Sequence, residues 1–263
     1  MFDLGSSGLE VDDSAGVASV KLTAYFPEDA DRDIVLPRVR QELESIPCGS
    51  VVGGVSDVPD EDWSSKWRDH FAPVFPTDRI VIHPPWREVS IPEKGFALAI
   101  EPKMAFGTGS HPTTQMSLLA LEAVVRPGDR VLDVGAGSGI LSLAAIRLGA
   151  SEVLAVDTDP LATENVIENA RLNNVSGIRA ETRSLTGTDT GYDVTVANII
   201  RHVLARMLPL LVASVRNRGH IIMGGLLDTE ESLFVDTVEG AGLDIVEIAR
   251  EAEWVGLIAR TAR

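Results

Sequence analysis

An α/β fold, with a mostly parallel sheet covered by helices on both faces and a small α+β unit ahead of it, is what this 263-residue sequence predicts. Three observations carry the prediction. From residue 112 onward helical and strand-like runs alternate, with strands near 130–134, 152–157, 177–182, 192–197, 219–223, 243–250 and 253–260 and helices at 112–124, 139–148, 160–173, 200–216 and 228–241. The strand segments are nearly continuous apolar runs, as in Val131-Leu132-Asp133-Val134, which suits strands covered on both faces. Residues 131–139, Val-Leu-Asp-Val-Gly-Ala-Gly-Ser-Gly, read as a buried strand that breaks into a glycine turn where a helix begins. Seven strands result, and the very short connection before the last one makes the final pair antiparallel.

The elements ahead of this sheet are fewer. A strand candidate covers 17–26, a charged turn 27–33, and a helical run 34–46 that ends before Pro47 and Gly49; Val51-Val52 then begins another strand. Residues 1–56 are thus expected to form a small α+β domain with a polar, acidic surface. Residues 57–104 are expected to be a linker and connecting strands, with Trp63 and Trp67 one helical turn apart as packing residues or, less often, a substrate-stacking platform, and strands at 79–83 and 96–101 around Pro84, Pro85 and Trp86. The main domain occupies 105–263.

Three motifs carry chemistry. The glycine spacing of 135, 137 and 139 is G-x-G-x-G; a dinucleotide fingerprint would need its third glycine at Ile140, which disfavours a nicotinamide-dependent oxidoreductase. Asp157 ends the next strand, 22 residues after Gly135, where a carboxylate can accept hydrogen bonds from two ribose hydroxyls. The glycine turn and Asp157 together resemble the cofactor site of class I S-adenosylmethionine-dependent methyltransferases. The second motif, Gly107-Thr108-Gly109-Ser110-His111-Pro112-Thr113-Thr114, is a glycine loop leading into a helix, where the hydroxyls of Thr113 and Thr114 either cap the helix or face a ligand. The third is Asn198 at the end of the fourth strand of the sheet, where it either caps the following helix or turns an incoming amine towards an electrophilic methyl group.

With Ala105-Phe106 ahead of the loop, Asp133–Leu141 around the turn and Val196-Ala197-Asn198-Ile199 at the strand end, the sequence resembles the PrmA family of methyltransferases, which modify protein eleven of the large ribosomal subunit. The resemblance runs from about residue 63 onward and includes Gly224-Gly225-Leu226-Leu227 and Glu253-Trp254-Val255. It implies the class I seven-stranded sheet, S-adenosylmethionine as cofactor, cofactor contacts from Thr114, Gly135, Asp157 and Asn198, and transfer to amino groups of a ribosomal protein. Gly137 joins this set from the turn, and Asn198 is the candidate catalytic residue. The resemblance also implies a ferredoxin-like substrate-recognition domain at the N-terminus, of which residues 17–52 supply about half the expected elements.

Composition sets the outer limits. One cysteine, Cys48, excludes an internal disulfide and a cysteine metal cluster, and no metal-ligand spacing is present. A formal charge of −16, with lysine only at 21, 66, 94 and 103, argues against a surface that tracks phosphates; a cationic partner is easier to accommodate, and adaptation to a salty cytoplasm or genome composition would give the same acidity. The most apolar later stretch, 199–215, is interrupted by Arg201, His202 and Arg206, so neither a membrane span nor a signal peptide is expected, and a cytoplasmic setting is. Two alternatives share the fold: transfer to exocyclic base amines, usually marked by prolines and an aromatic after the asparagine where Ile199-Ile200 stand here, and a catalytically silent module that binds cofactor or a partner.

Overall fold

The computed structural model describes residues 5–6, 8–12, 21–27, 30–44, 54–56, 71–102 and 107–261. The chain divides into two units, Met1–Trp63 and Ser64–Arg263. In the first, β1 (Gly8–Asp12) pairs antiparallel with β2 (Lys21–Tyr25), and α1 spans Arg32–Glu44. The sequence suggested one strand here; β1, with a glycine at its start and acids among its five residues, lacks the apolar density that marks a strand. The helix begins two residues earlier than expected because Asp31 Oδ1 accepts the Asp33 N–H at 2.9 Å. The expected strand start at Val51-Val52 and the Trp63/Trp67 pair lie outside the described residues.

In the second unit, β3 (Ile80–His83) and β4 (Phe96–Ala99) pair in parallel. Ile80, Ile82, Leu98 and Ile100 are buried in the same core as the sheet and its helices. Then come α2 (Pro112–Val124), β5 (Arg130–Val134), α3 (Ile140–Arg147), β6 (Glu152–Asp157), α4 (Pro160–Leu172), β7 (Ile178–Thr182), β8 (Tyr192–Asn198), α5 (Arg201–Ser214), β9 (Val215–Leu227), α6 (Glu231–Gly240), β10 (Leu243–Glu251) and β11 (Trp254–Thr261). The seven-stranded sheet has the order β10-β11-β9-β8-β5-β6-β7. The pairs from β9 to β7 are parallel, and β11 runs antiparallel to both neighbours. This is the class I methyltransferase arrangement that the sequence led us to expect.

Alternation along each strand builds two core layers. Val131, Val153 and Val194 pack on one face with Leu118 and Leu121 of α2 and Leu143 of α3. Leu132, Leu154 and Ile221 pack on the other with Leu204, Leu208 and Leu211 of α5 and Phe234 of α6. At the amino ends of the strands, Arg130 ties β5 to both neighbours. Its Nε donates to Glu152 of β6 at 2.5 Å, its Nη1 to the Gly191 carbonyl at 3.2 Å, and its backbone N–H to Asp193 of β8 at 2.8 Å.

One carboxyl sits inside this apolar layer. Asp133 is fully buried; Ser142 Oγ donates to its Oδ2 at 2.6 Å, and Oδ1 has no partner among the described residues. Burial penalises the charged form and pushes its pKa from 3.8 up to about 6, against the lowering effect of the Ser142 hydrogen bonds. Because the folded pKa is the higher one, the native state binds the extra proton. Its stabilising contribution is therefore present below about pH 4 and lost as pH rises through about 6, a change of about 3 kcal/mol. Asp133→Asn, which cannot ionise, is expected to flatten the pH dependence of stability between those limits. Urea unfolding at several pH values checks this, and an unchanged slope would remove Asp133 as its source.

Candidate functional site

The parallel register sets three strand ends in one row. Val134 of β5 is level with Val156 of β6 and with Ala197 of β8, so the residues that follow, Gly135, Asp157 and Asn198, leave the sheet side by side. From β5 the chain proceeds to β6 and β7 on one side and returns to β8 on the other. That reversal opens a crevice beyond the carboxyl ends of the strands. A cavity of about 530 Å³ fills it, a size suited to a cofactor. Thr114, Gly135, Gly137, Asp157 and Asn198, the five residues singled out from the sequence, all line it.

The glycine turn is built for close approach. Gly135 and Gly139 have φ of 76° and 79°, in the left-handed region that side chains avoid. A Cβ on Gly135 would lie 2.5 Å from Ile199 Cγ2, and one on Gly139 would lie 3.1 Å from Val166 Cα on α4. The turn also fixes the acid: Gly137 N–H donates to Asp157 Oδ2 and Asp159 N–H to Asp157 Oδ1, each at 3.0 Å. The carboxylate is thus held by two backbone donors while its remaining lone pairs stay available to ligand hydroxyls. Asp159 in turn caps α4, accepting the Leu161 N–H at 2.9 Å ahead of Pro160.

Asn198 is the last residue of β8, and the N-cap of α5 is Ile200, so Asn198 does not cap that helix. Its Nδ2 donates to Thr114 Oγ1 at 3.4 Å. Among the described residues three buried side-chain oxygens lack a hydrogen-bond partner, and one of them is Oδ1 of Asn198, a residue of the cavity wall. Gly224 of β9, level with Asn198, makes room for it: a Cβ there would stand 2.7 Å from Oδ1. A buried acceptor left open in this way costs free energy unless a ligand supplies the donor.

The cap of α2 is His111, not the threonine hydroxyls that the sequence offered. Thr113 N–H donates to its Nδ1 at 3.3 Å, and Thr113 Oγ1 lies 2.8 Å from the same atom. Thr114 is left facing the cavity. The imidazole meets Trp254 of β11 edge-on, with ring centroids 4.8 Å apart, and both rings line the cavity.

Sequence reasoning gave no role to the wall formed by Arg183, Ser184 and Leu185 after β7. A clamp stiffens this segment: Arg183 donates to both oxygens of Asp189 at 2.7 Å and from Nε to Glu181 at 2.6 Å. The guanidinium, with the Thr186 N–H, lowers the Asp189 pKa to about 2. An arginine and an aspartate six residues apart in a polar loop carry no periodic signal; the one apolar residue between them, Leu185, was the available clue.

Comparison with known proteins agrees with this geometry. Residues 7–262 match the family model described as ribosomal protein L11 methyltransferase (PrmA). A ribosomal protein L11 methyltransferase of Bacillus cereus strain AH820 is 36% identical over 252 residues, covering 92% of this chain and 80% of that protein. One from Bacillus anthracis matches to the same extent. Among solved structures, a ribosomal protein L11 methylase from Lactobacillus delbrueckii subsp. bulgaricus superposes with a TM-score of 0.69 at 29% identity, over 73% of this chain and 100% of that one. A precorrin-6Y C5,15-methyltransferase from Geobacter metallireducens shares the fold, with a TM-score of 0.50 at 15% identity over 62% of this chain and 93% of that one.

The clamp makes a measurable contribution. With its folded pKa depressed to about 2, Asp189 stabilises the protein above about pH 4, and that contribution is lost as pH falls through about 2. Asp189→Asn is expected to lower unfolding free energy at pH 7 by about 2 kcal/mol. Denaturant titration reads this out, and a variant as stable as the parent would show that the clamp does not hold the loop.

Proposed function

The chain belongs to the ribosomal protein L11 methyltransferase family, and from that membership and the geometry of its site we propose that it transfers methyl groups from S-adenosylmethionine to amino groups of a large-subunit ribosomal protein. The acceptors are lysine side chains, the N-terminal amine, or both. The observation that carries this reading is the single row of Gly135, Asp157 and Asn198 around one cavity, with the Asn198 carbonyl buried and unpartnered.

The donor set suits the cofactor. Asp157 would hold the ribose through its free lone pairs, Gly135 and Gly137 would admit the ligand close to the backbone, and Thr114 and Asn198 would flank the reacting end. When bound, S-adenosylmethionine supplies an electrophilic methyl group on sulfur. The chain's own contribution is positional. Asn198 Oδ1 accepts an N–H from the incoming amine, which turns the nitrogen lone pair into the cavity at the roughly 3–3.5 Å separation that favours transfer. Thr114 Oγ1 accepts the Asn198 Nδ2 hydrogen bond and so fixes the orientation of that amide at the cavity wall. The amine must arrive neutral: an α-amine with a pKa of about 8 is partly so at pH 7, and a lysine near 10.4 gives its proton to water first. His111 serves the site through structure, because its Nδ1 is occupied by Thr113.

The net charge of −16 supports a basic protein over nucleic acid as the acceptor. Among the described residues no helix is long and apolar enough to cross a membrane. We assign residues 1–56 to recognition of the ribosomal protein and the reaction to the cytoplasm as parts of the same proposal.

Incubating the protein with labelled S-adenosylmethionine and, separately, ribosomal protein L11 and ribosomal RNA tests the acceptor. Label is expected in L11, on amines located by mass spectrometry; label confined to RNA would replace the proposal with base methylation, and cofactor binding without transfer to either would make this a silent module. Asn198→Ala is expected to lower turnover about a hundredfold while cofactor affinity changes less. Unchanged turnover would take Asn198 out of the mechanism.

A further inference from the structure

The glycine turn is braced from behind by α4. Val166 lies against Gly139 closely enough that a Cβ there would press on the helix backbone at 3.1 Å. Three residues along, on the same helical face, Asn169 is only 2% exposed and uses both ends of its amide. Nδ2 donates to the Ser138 carbonyl in the middle of the turn at 2.9 Å, and Oδ1 accepts the Glu101 N–H at 3.2 Å. Ser138 passes the connection on, since its Oγ donates to the Gly107 carbonyl at 2.7 Å, and Gly107 lines the cavity. One turn further, Asn173 is built in the same way but points elsewhere. It exchanges a pair of hydrogen bonds with the Ala99 backbone, at 2.8 Å to its Oδ1 and 2.7 Å from its Nδ2, and makes no bond to the turn.

We propose that Asn169 is a positioning residue for the cofactor: through Ser138 it holds the glycine turn and Gly107 in the conformation that receives the ligand, before the ligand arrives. The donor to Ser138 O is the operative half, because that carbonyl is the polar group of the turn that would otherwise be left unsatisfied against α4. Asn173 is the internal comparison. It has the same chemistry and similar burial at the C-cap of the same helix, but its side chain bonds the strand end at Ala99 and the Asn169 carbonyl, not the turn. The proposal rests on the cofactor reading given above, which supplies the ligand used in the test.

The experiment compares the full-length protein with Asn169→Ala, Asn169→Asp and Asn173→Ala by thermal unfolding, S-adenosylmethionine binding by calorimetry, and amide hydrogen exchange without cofactor. Asn169→Asp keeps the acceptor for Glu101 and loses the donor to Ser138. Both Asn169 variants are expected to weaken cofactor binding about tenfold, to leave turnover at saturating cofactor within about threefold, and to speed exchange in peptides covering 135–140. Asn173→Ala is expected to lower the unfolding temperature while leaving cofactor affinity within about twofold. Wild-type affinity in Asn169→Asp, or an equal loss of affinity in Asn173→Ala, would overturn the proposal by reducing Asn169 to general support of the fold. If the parent protein itself binds no S-adenosylmethionine, the cofactor reading fails; faster exchange at 135–140 would then still show the brace, and unchanged exchange would remove that as well.

Discussion

Parallel pairing of β5 with β6 on one side and β8 on the other is the constraint on which the site depends. A slip of one residue in either ladder would carry Asp157 or Asn198 to the opposite face of the sheet. The central strands are poorly equipped to prevent that by hydrophobicity alone, because both faces are apolar and a shifted strand still buries its side chains. Arg130 supplies the missing specificity from the far end of the strands. One side chain and its own N–H reach Glu152 at the start of β6 and Gly191 and Asp193 at the start of β8, and the guanidinium also lies 5.1 Å from the centre of the Tyr192 ring. Exposed ion pairs of this sort add little to stability; the value of this one lies in aligning three strands whose other ends line the cavity.

At the ligand end, polar groups are satisfied through the backbone and not through charge pairs. Asp157 is held by two peptide N–H groups, Thr114 is released to the cavity because His111 does the capping, and the turn is braced by an amide on α4. Such bonds, at 2.9–3.3 Å, tie each polar side chain to the fixed backbone around the cavity and not to a mobile charged partner. Against that background, the carbonyl of Asn198 stands out as a buried side-chain acceptor with no hydrogen-bond partner among the described residues.

Much of this was legible in the sequence, and the reasons are local. Helices α2, α4 and α5 fell within two residues of their expected ends, because Pro112 and Asp159-Pro160 mark starts and the apolar spacing marks lengths. The turn and Asp157 were legible because glycine at a positive φ and an acid at a strand end each have few other uses. The rest depended on distance in the chain. Nothing near Asn169 announces a partner 31 residues away, and the edge-on meeting of His111 with Trp254 joins residues more than half the chain apart. β9 runs to Val215–Leu227, longer than the expected 219–223, because its first half is the polar stretch Arg216-Asn217-Arg218, which pattern alone reads as a loop. The parallel pairing of β3 and β4 was hidden by a proline-rich connection that contains no helix.

The antiparallel end of the sheet bears on how the protein comes into being. β11 follows β10 in the chain but lies between β10 and β9, and it brings Trp254 to the cavity wall. A ribosome making this chain therefore produces β10 before the only strand that it pairs with exists. The same late strand completes one wall of the site, so a nascent chain has every other strand of the sheet in hand before it can enclose a ligand.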